Sequence, residues 1–256
     1  MRRNTTANVA VILTLVLGAA FTTFSAKAEA GAENAIRAAA RQNHYAFVTF
    51  FKSNDNASKE MLADVKSIQG KYANRADFIS VNVGDRSNRG IISQYGADRS
   101  PIPLTIVIAP NGAITAGFPR QINTSKLSDA FVSDGTAAVL KVLQGRKIAA
   151  VCLQSARTKN NKQCQTTARG VKSDSRLGGA IEIIKIDPTD RSESKLLRQW
   201  NVNADSANAQ LVIIAPPGKV VGKFDGAASK DSVMSSLMRS LSGGCSGGSC
   251  GPGGCK

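Results

Sequence analysis

The chain has 256 residues, 42% of them hydrophobic and 20% charged, which supplies one or two packed cores and excludes wholesale disorder, a collagen-like repeat and a membrane-embedded chain. Lys and Arg outnumber Asp and Glu by 33 to 18, a formal charge of +15 that admits anionic partners. One histidine leaves little room for imidazole chemistry.

Residues 1–30 read as a secretory signal peptide. Arg2 and Arg3 precede an apolar run from Val9 to Phe21, and Ala26-Lys27-Ala28 and Ala28-Glu29-Ala30 supply the small residues that signal peptidases accept. A hydrocarbon core of about 30 Å asks for roughly 20 apolar residues, so the run is short for a span, and an uncleaved anchor is the alternative. The expected location of the exported chain is the periplasm or the extracellular space.

Beyond residue 30, an Ala-rich helix from Ala32 to Arg41 leads into the apolar strand Tyr45 to Phe51. A helix from Ser58 to Tyr72, a strand from Phe78 to Val83, a helix from Asn88 to Tyr95 and a strand from Leu104 to Ile108 follow. Asn111-Gly112 turns the chain into a hairpin with Ala113 to Phe118, and Ser125 to Phe131 closes as a helix. The order then returns as strand Ile148 to Leu153, helix Asn161 to Val171, strand Ala180 to Ile186 and helix Ser192 to Trp200. Strand Leu211 to Ile214, strand Lys219 to Phe224 and helix Ser229 to Leu241 complete it.

The two runs share landmarks. Ile108-Ala109-Pro110 recurs as Ile214-Ala215-Pro216, and Asp85-Arg86-Ser87 and Gln94-Tyr95 recur as Asp190-Arg191-Ser192 and Gln199-Trp200. A period near 105 residues marks a duplicated domain rather than a solenoid, because each unit buries its own core. The predicted fold is α/β, two tandem three-layer α/β/α sandwiches with mixed central sheets. The units are expected at 31–140 and 141–241, followed by a flexible Gly/Cys tail over 242–256. Trp200 is expected to pack between helix and sheet.

The first unit resembles thioredoxin. Phe47-Val48-Thr49-Phe50-Phe51-Lys52-Ser53-Asn54-Asp55-Asn56-Ala57-Ser58-Lys59 aligns without a gap on that family's strand, Cys-x-x-Cys loop and following lysine, and Tyr95-Gly96 and Ile102-Pro103-Leu104-Thr105 match further landmarks. The resemblance covers most of 32–134 and, more faintly, 146–241. It implies that Pro103 is a cis-proline facing the active loop, with a trans strand-entry proline as the alternative. Asp55 and Ser58 stand where the family has its two thiols, and neither a carboxylate nor a hydroxyl forms a mixed disulfide. In the second unit Ala209 takes the place of Pro103, and the loop Gln154 to Lys159 also lacks cysteine. Both units are therefore expected to be redox-silent. Asp55 and Ser58 are either helix caps or polar binding groups.

The remaining chemistry lies in the cysteines and the basic residues. Cys152 in a strand and Cys164 on the next helix are a candidate disulfide, contributing about 3 kcal/mol through loop closure, with two buried thiols or a displaced redox pair as alternatives. Cys245, Cys250 and Cys255 form a Cys-x4-Cys-x4-Cys array on a glycine chain, which suits capture of Cu(I) or Zn(II), thiol exchange or cross-linking, or an inert oxidised tail. From Lys141 to Arg176 nine basic residues face one acid, Asp174, so this stretch is either a patch for an anionic envelope surface or a solvated face. Nucleic acid is disfavoured by the export signal and by 5% aromatics. His44 is expected as a strand-entry residue. The function expected is non-enzymatic binding of a protein or peptide at the Pro103 face, as a scaffold in the cell envelope. A thiol or metal handler acting through the tail is the alternative; the sequence sets no oligomeric state.

Overall fold

The computed structural model describes residues 31–177 and 179–241. The expected signal peptide and the expected metal or thiol site at Cys245, Cys250 and Cys255 lie outside the described residues. No helix among the described residues is long and apolar enough to cross a membrane.

The first sheet is built from β1 (Tyr45–Phe51), β2 (Ala76–Asn82), β3 (Leu104–Ile108) and β4 (Ile114–Pro119), in the order β2-β1-β3-β4. β1 runs parallel to β2 and antiparallel to β3, so the sheet is mixed. The aromatic and β-branched run of β1 suits a central strand buried on both faces. Ala46, Val48 and Phe50 pack beneath α1 (Gly31–Arg41) and α3 (Arg89–Gln94), whereas Phe47 faces α2 (Asn56–Tyr72) with Met61, Val65 and Ile68. Thr49 and Thr105, opposite one another on β1 and β3, satisfy each other's buried hydroxyls at 2.9 Å.

The second sheet repeats this order as β6-β5-β7-β8, from β5 (Ile148–Leu153), β6 (Ile181–Ile186), β7 (Gln210–Ala215) and β8 (Lys219–Asp225). Its faces are covered by α4 (Asp134–Gln144) with α6 (Ser194–Gln199), and by α5 (Asn161–Lys172) with α7 (Lys230–Leu241). The chain is thus two α/β units, each a mixed four-stranded sheet between helices, as the element order predicts. Trp200 is buried at the end of α6 against the second sheet.

Two elements differ from expectation. The closing helix placed at Ser125 to Phe131 is a 3-10 segment, Thr124–Ala130, which buries only Leu127 and Ala130 and so has no apolar stripe to extend. Helix α4 forms where the sequence assigns no element; Ser133 caps it by accepting from the Thr136 N–H, and it spans residue 140, the expected boundary. Val139 of α4 packs with Ala149, Val151 and Ile184 of the second sheet. Its other side meets the first unit. Ala137 packs with Ala109 and Ala113, and the Gln144 side chain donates to Ile114 C=O at 2.6 Å and accepts from Ile114 N–H at 2.9 Å, standing in for a further strand at the β4 edge.

Candidate functional site

The loop between β1 and α2 carries Asp55 and Ser58, and the structure brings them together. Asp55 is the N-cap of α2 in an extended conformation, accepting from Ser58 N–H at 3.0 Å and Ser58 Oγ at 2.8 Å. Ser58 is buried, and its Oγ accepts in turn from Lys52 N–H at 3.1 Å. The Ser58 hydroxyl beside it holds the Asp55 carboxyl below its ordinary value. Both side chains are therefore consumed in closing the first turn of the helix.

Pro103 is buried at the entry to β3, and the Ile102-Pro103 peptide is cis. Because β1 and β3 are antiparallel and Phe50 lies opposite Leu104, the loop leaving β1 and the proline entering β3 share one end of the sheet. The Pro103 carbonyl accepts from Arg120 N–H at 2.7 Å. The second unit closes the corresponding end. Ala209 N–H donates to Lys159 C=O at 2.8 Å and Lys159 N–H donates to Ala207 C=O at 2.9 Å, strapping the β5–α5 loop to the strand entry. A proline at the Ala209 position has no N–H to give, so the first unit cannot form the same strap.

Cys152, the penultimate residue of β5, and Cys164 in the first turn of α5 are fully buried and stand as free thiols, one of the alternatives to a disulfide. Cys164 Sγ lies 3.8 Å from Gln210 C=O. The Cys152 thiol beside it, with burial, pushes the Cys164 thiol well above its ordinary value, while Cys152 itself is lowered by Cys164; what keeps both from acting as nucleophiles in the folded chain is their full burial.

The basic stretch from Lys141 to Arg176 divides. Lys147 and Lys172 hold Glu182 at 2.6 and 2.7 Å, Arg176 holds the buried Asp174 at 2.8 Å, and Lys141 Nζ donates to Gly112 C=O at 3.1 Å. Arg157, Lys159, Lys162 and Arg169 remain exposed on α5 and the loop before it. His44 stands at the entry to β1 with Nδ1 3.4 Å from Asp77 Oδ2. Sequence reasoning missed Asp77, Glu182 and Glu193; comparing the units position by position finds the first two, whereas Glu193 acts through a contact far along the chain.

No family model and no curated protein matches the chain. Among solved structures, it is similar to the first two thioredoxin domains of Saccharomyces cerevisiae Eps1p, at 11% identity over 82% of this chain and 96% of that one, with a TM-score of 0.29. It is similar to the NTD_N/C domain of alkylhydroperoxide reductase AhpF from Enterococcus faecalis, at 11% identity over 80% of this chain and 99% of that one, with a TM-score of 0.30. Human ERp44 is similar at 12% identity over 80% of this chain and 56% of that one, with a TM-score of 0.33.

Proposed function

We propose that the chain is an exported binding or scaffold protein of the cell envelope, presenting the Pro103 face of its first unit to a protein or peptide. The observation that carries this is the pairing of Asp55 with Ser58: the loop that would hold two thiols instead holds a closed helix cap, and no thiolate attacks a disulfide there. The Pro103 end lacks the strap that closes the Ala209 end, which supports binding at the first unit rather than the second. Exposed Arg157, Lys159, Lys162 and Arg169 support contact with an anionic envelope surface.

Insulin reduction by the full chain tests the redox-silent half of this role. No turnover is expected. Turnover that vanishes when residues 242–256 are removed would assign the chemistry to Cys245, Cys250 and Cys255 and replace the scaffold role by thiol exchange. Tight Cu(I) or Zn(II) uptake lost with the same deletion would replace it by metal handling.

A further inference from the structure

The first sheet ends at β2 and the second at β6, and the two edges are finished differently. At β6 the carboxylate of Glu182 is clasped between Lys147 from the entry to β5 and Lys172 from the end of α5. Charged side chains across a sheet edge guard it against strand addition. The registers, Ala76 opposite Tyr45 and Ile181 opposite Ile148, make Asp77 the counterpart of Glu182 and His44 the counterpart of Lys147. Gln69 precedes Lys172 by the same interval that separates His44 from Lys147. The first unit thus keeps the carboxylate and lacks both ammonium groups. His44 Nδ1 makes no hydrogen bond, and among the described residues Asp77 has no other ion pair.

A groove of about 420 Å³ lies there. Ala35 and Ala38 of α1 form one wall, Gln69 and Ala73 at the end of α2 the other, and Ala76 to Ile79 the floor. Since α1 and α2 cover opposite faces of the sheet, a space bounded by both sits over the free edge of β2. Tyr45 N–H donates to Arg75 C=O and Val83 N–H to Phe51 C=O, which sets the phase of the parallel ladder. Alternate residues of β2 face β1, and Ala76, Phe78 and Ser80 turn N–H and C=O outward.

We infer that the β2 edge is a docking groove for an extended peptide segment, which adds as a strand along Phe78 and Ser80, beyond the buried Ala76, and sets one Lys or Arg side chain beside Asp77. Main-chain pairing supplies the affinity and the carboxylate supplies the selection. The selection is for one cation at one position, because the chain's net positive charge opposes a wholly basic ligand. This site is separate from the Pro103 face and stands whether or not that face binds.

The probe is acetyl-TVTKTVT-amide, titrated into the full chain by calorimetry, against the same peptide with Glu in place of Lys. The Lys peptide is expected to bind at least tenfold more tightly, with amide shift changes centred on residues 76–80. Asp77→Asn is expected to erase the preference between the two. The double variant His44→Lys, Gln69→Lys rebuilds the lysine pair of the second unit and is expected to abolish binding while melting no lower than the parent, which separates a blocked groove from a damaged fold. The inference is overturned by absence of saturable binding, by equal binding of the two peptides, or by binding indifferent to the double variant. A dimer in sedimentation that the double variant dissolves would give the edge to a second copy instead and also overturn it.

Discussion

Glu193 reaches into the first turn of α4 and accepts the Gly135 N–H at 2.8 Å, so closely that a Cβ on Gly135 would stand 2.6 Å from its Oε1. The same carboxylate accepts from Ser133 Oγ at 2.6 Å and is itself buried. A negative group at a helix N-terminus satisfies main-chain donors that have no partner within the helix. Gly135→Ala is expected to displace the carboxylate and cost about 1–2 kcal/mol, outweighing the propensity gained in replacing glycine. Urea unfolding reads the difference; a neutral or stabilised variant would show that Glu193 has another place to go.

Thr49 and Thr105 form a second close pair, and here the two hydroxyls answer only each other. Thr49→Val leaves Thr105 buried without a partner, a cost of about 1–3 kcal/mol, and the double change to Val at both positions is expected to cost less than the sum of the single changes. A double-mutant cycle in urea gives the coupling. Strict additivity would mean that the hydroxyls are satisfied elsewhere.

The lysine clasp on Glu182 sets a pH dependence. Hydrogen bonds from Lys147 and then Lys172 lower the folded carboxyl from its ordinary 4.5 to about 2. A depressed folded value gives stability that is fully present above the unfolded value and is lost as pH falls through the folded one. The loss therefore runs from about pH 5 down to about pH 2, and salt shrinks it because all three side chains are partly exposed. Glu182→Gln is expected to be the less stable protein at pH 7 and to fall less steeply over that interval. Parallel stability curves for the two proteins would remove the clasp as the cause.

Cys152 and Cys164 differ from reactive thiols in access, both being fully buried, and Cys164 differs in ionisation as well. In the reduced chain at pH 8, iodoacetamide is expected to leave both unlabelled while folded and to label both after unfolding, as read by peptide mass. Native labelling of either would mean that β5 and α5 separate readily.

The strand order was legible because its signals are local: apolar runs of five to seven residues, the Asn111-Gly112 turn, and the repeated Ile-Ala-Pro triplets. So was the cap formed by Asp55 and Ser58, whose donors and acceptors lie three residues apart. The helix α4 was not. Gly135 in its first turn reads as loop, and the carboxylate that makes glycine suitable there arrives from a residue 58 positions away. The strap from Lys159 to Ala209 was hidden for a different reason, since it is made of main-chain groups that every residue carries. The difference between the β2 and β6 edges was written in the chain as His44 against Lys147, but it acquires meaning only once the register aligns the units.

The Gln144 amide that mimics a neighbouring strand for Ile114 makes α4 a party wall. Either half expressed alone would be missing a side: the first would bare Ala109, Ala113 and the rim of β4, and the second would carry a helix with an unclaimed flank. Duplication here has produced a semi-detached pair, in which dividing the property after residue 132 leaves neither house weatherproof.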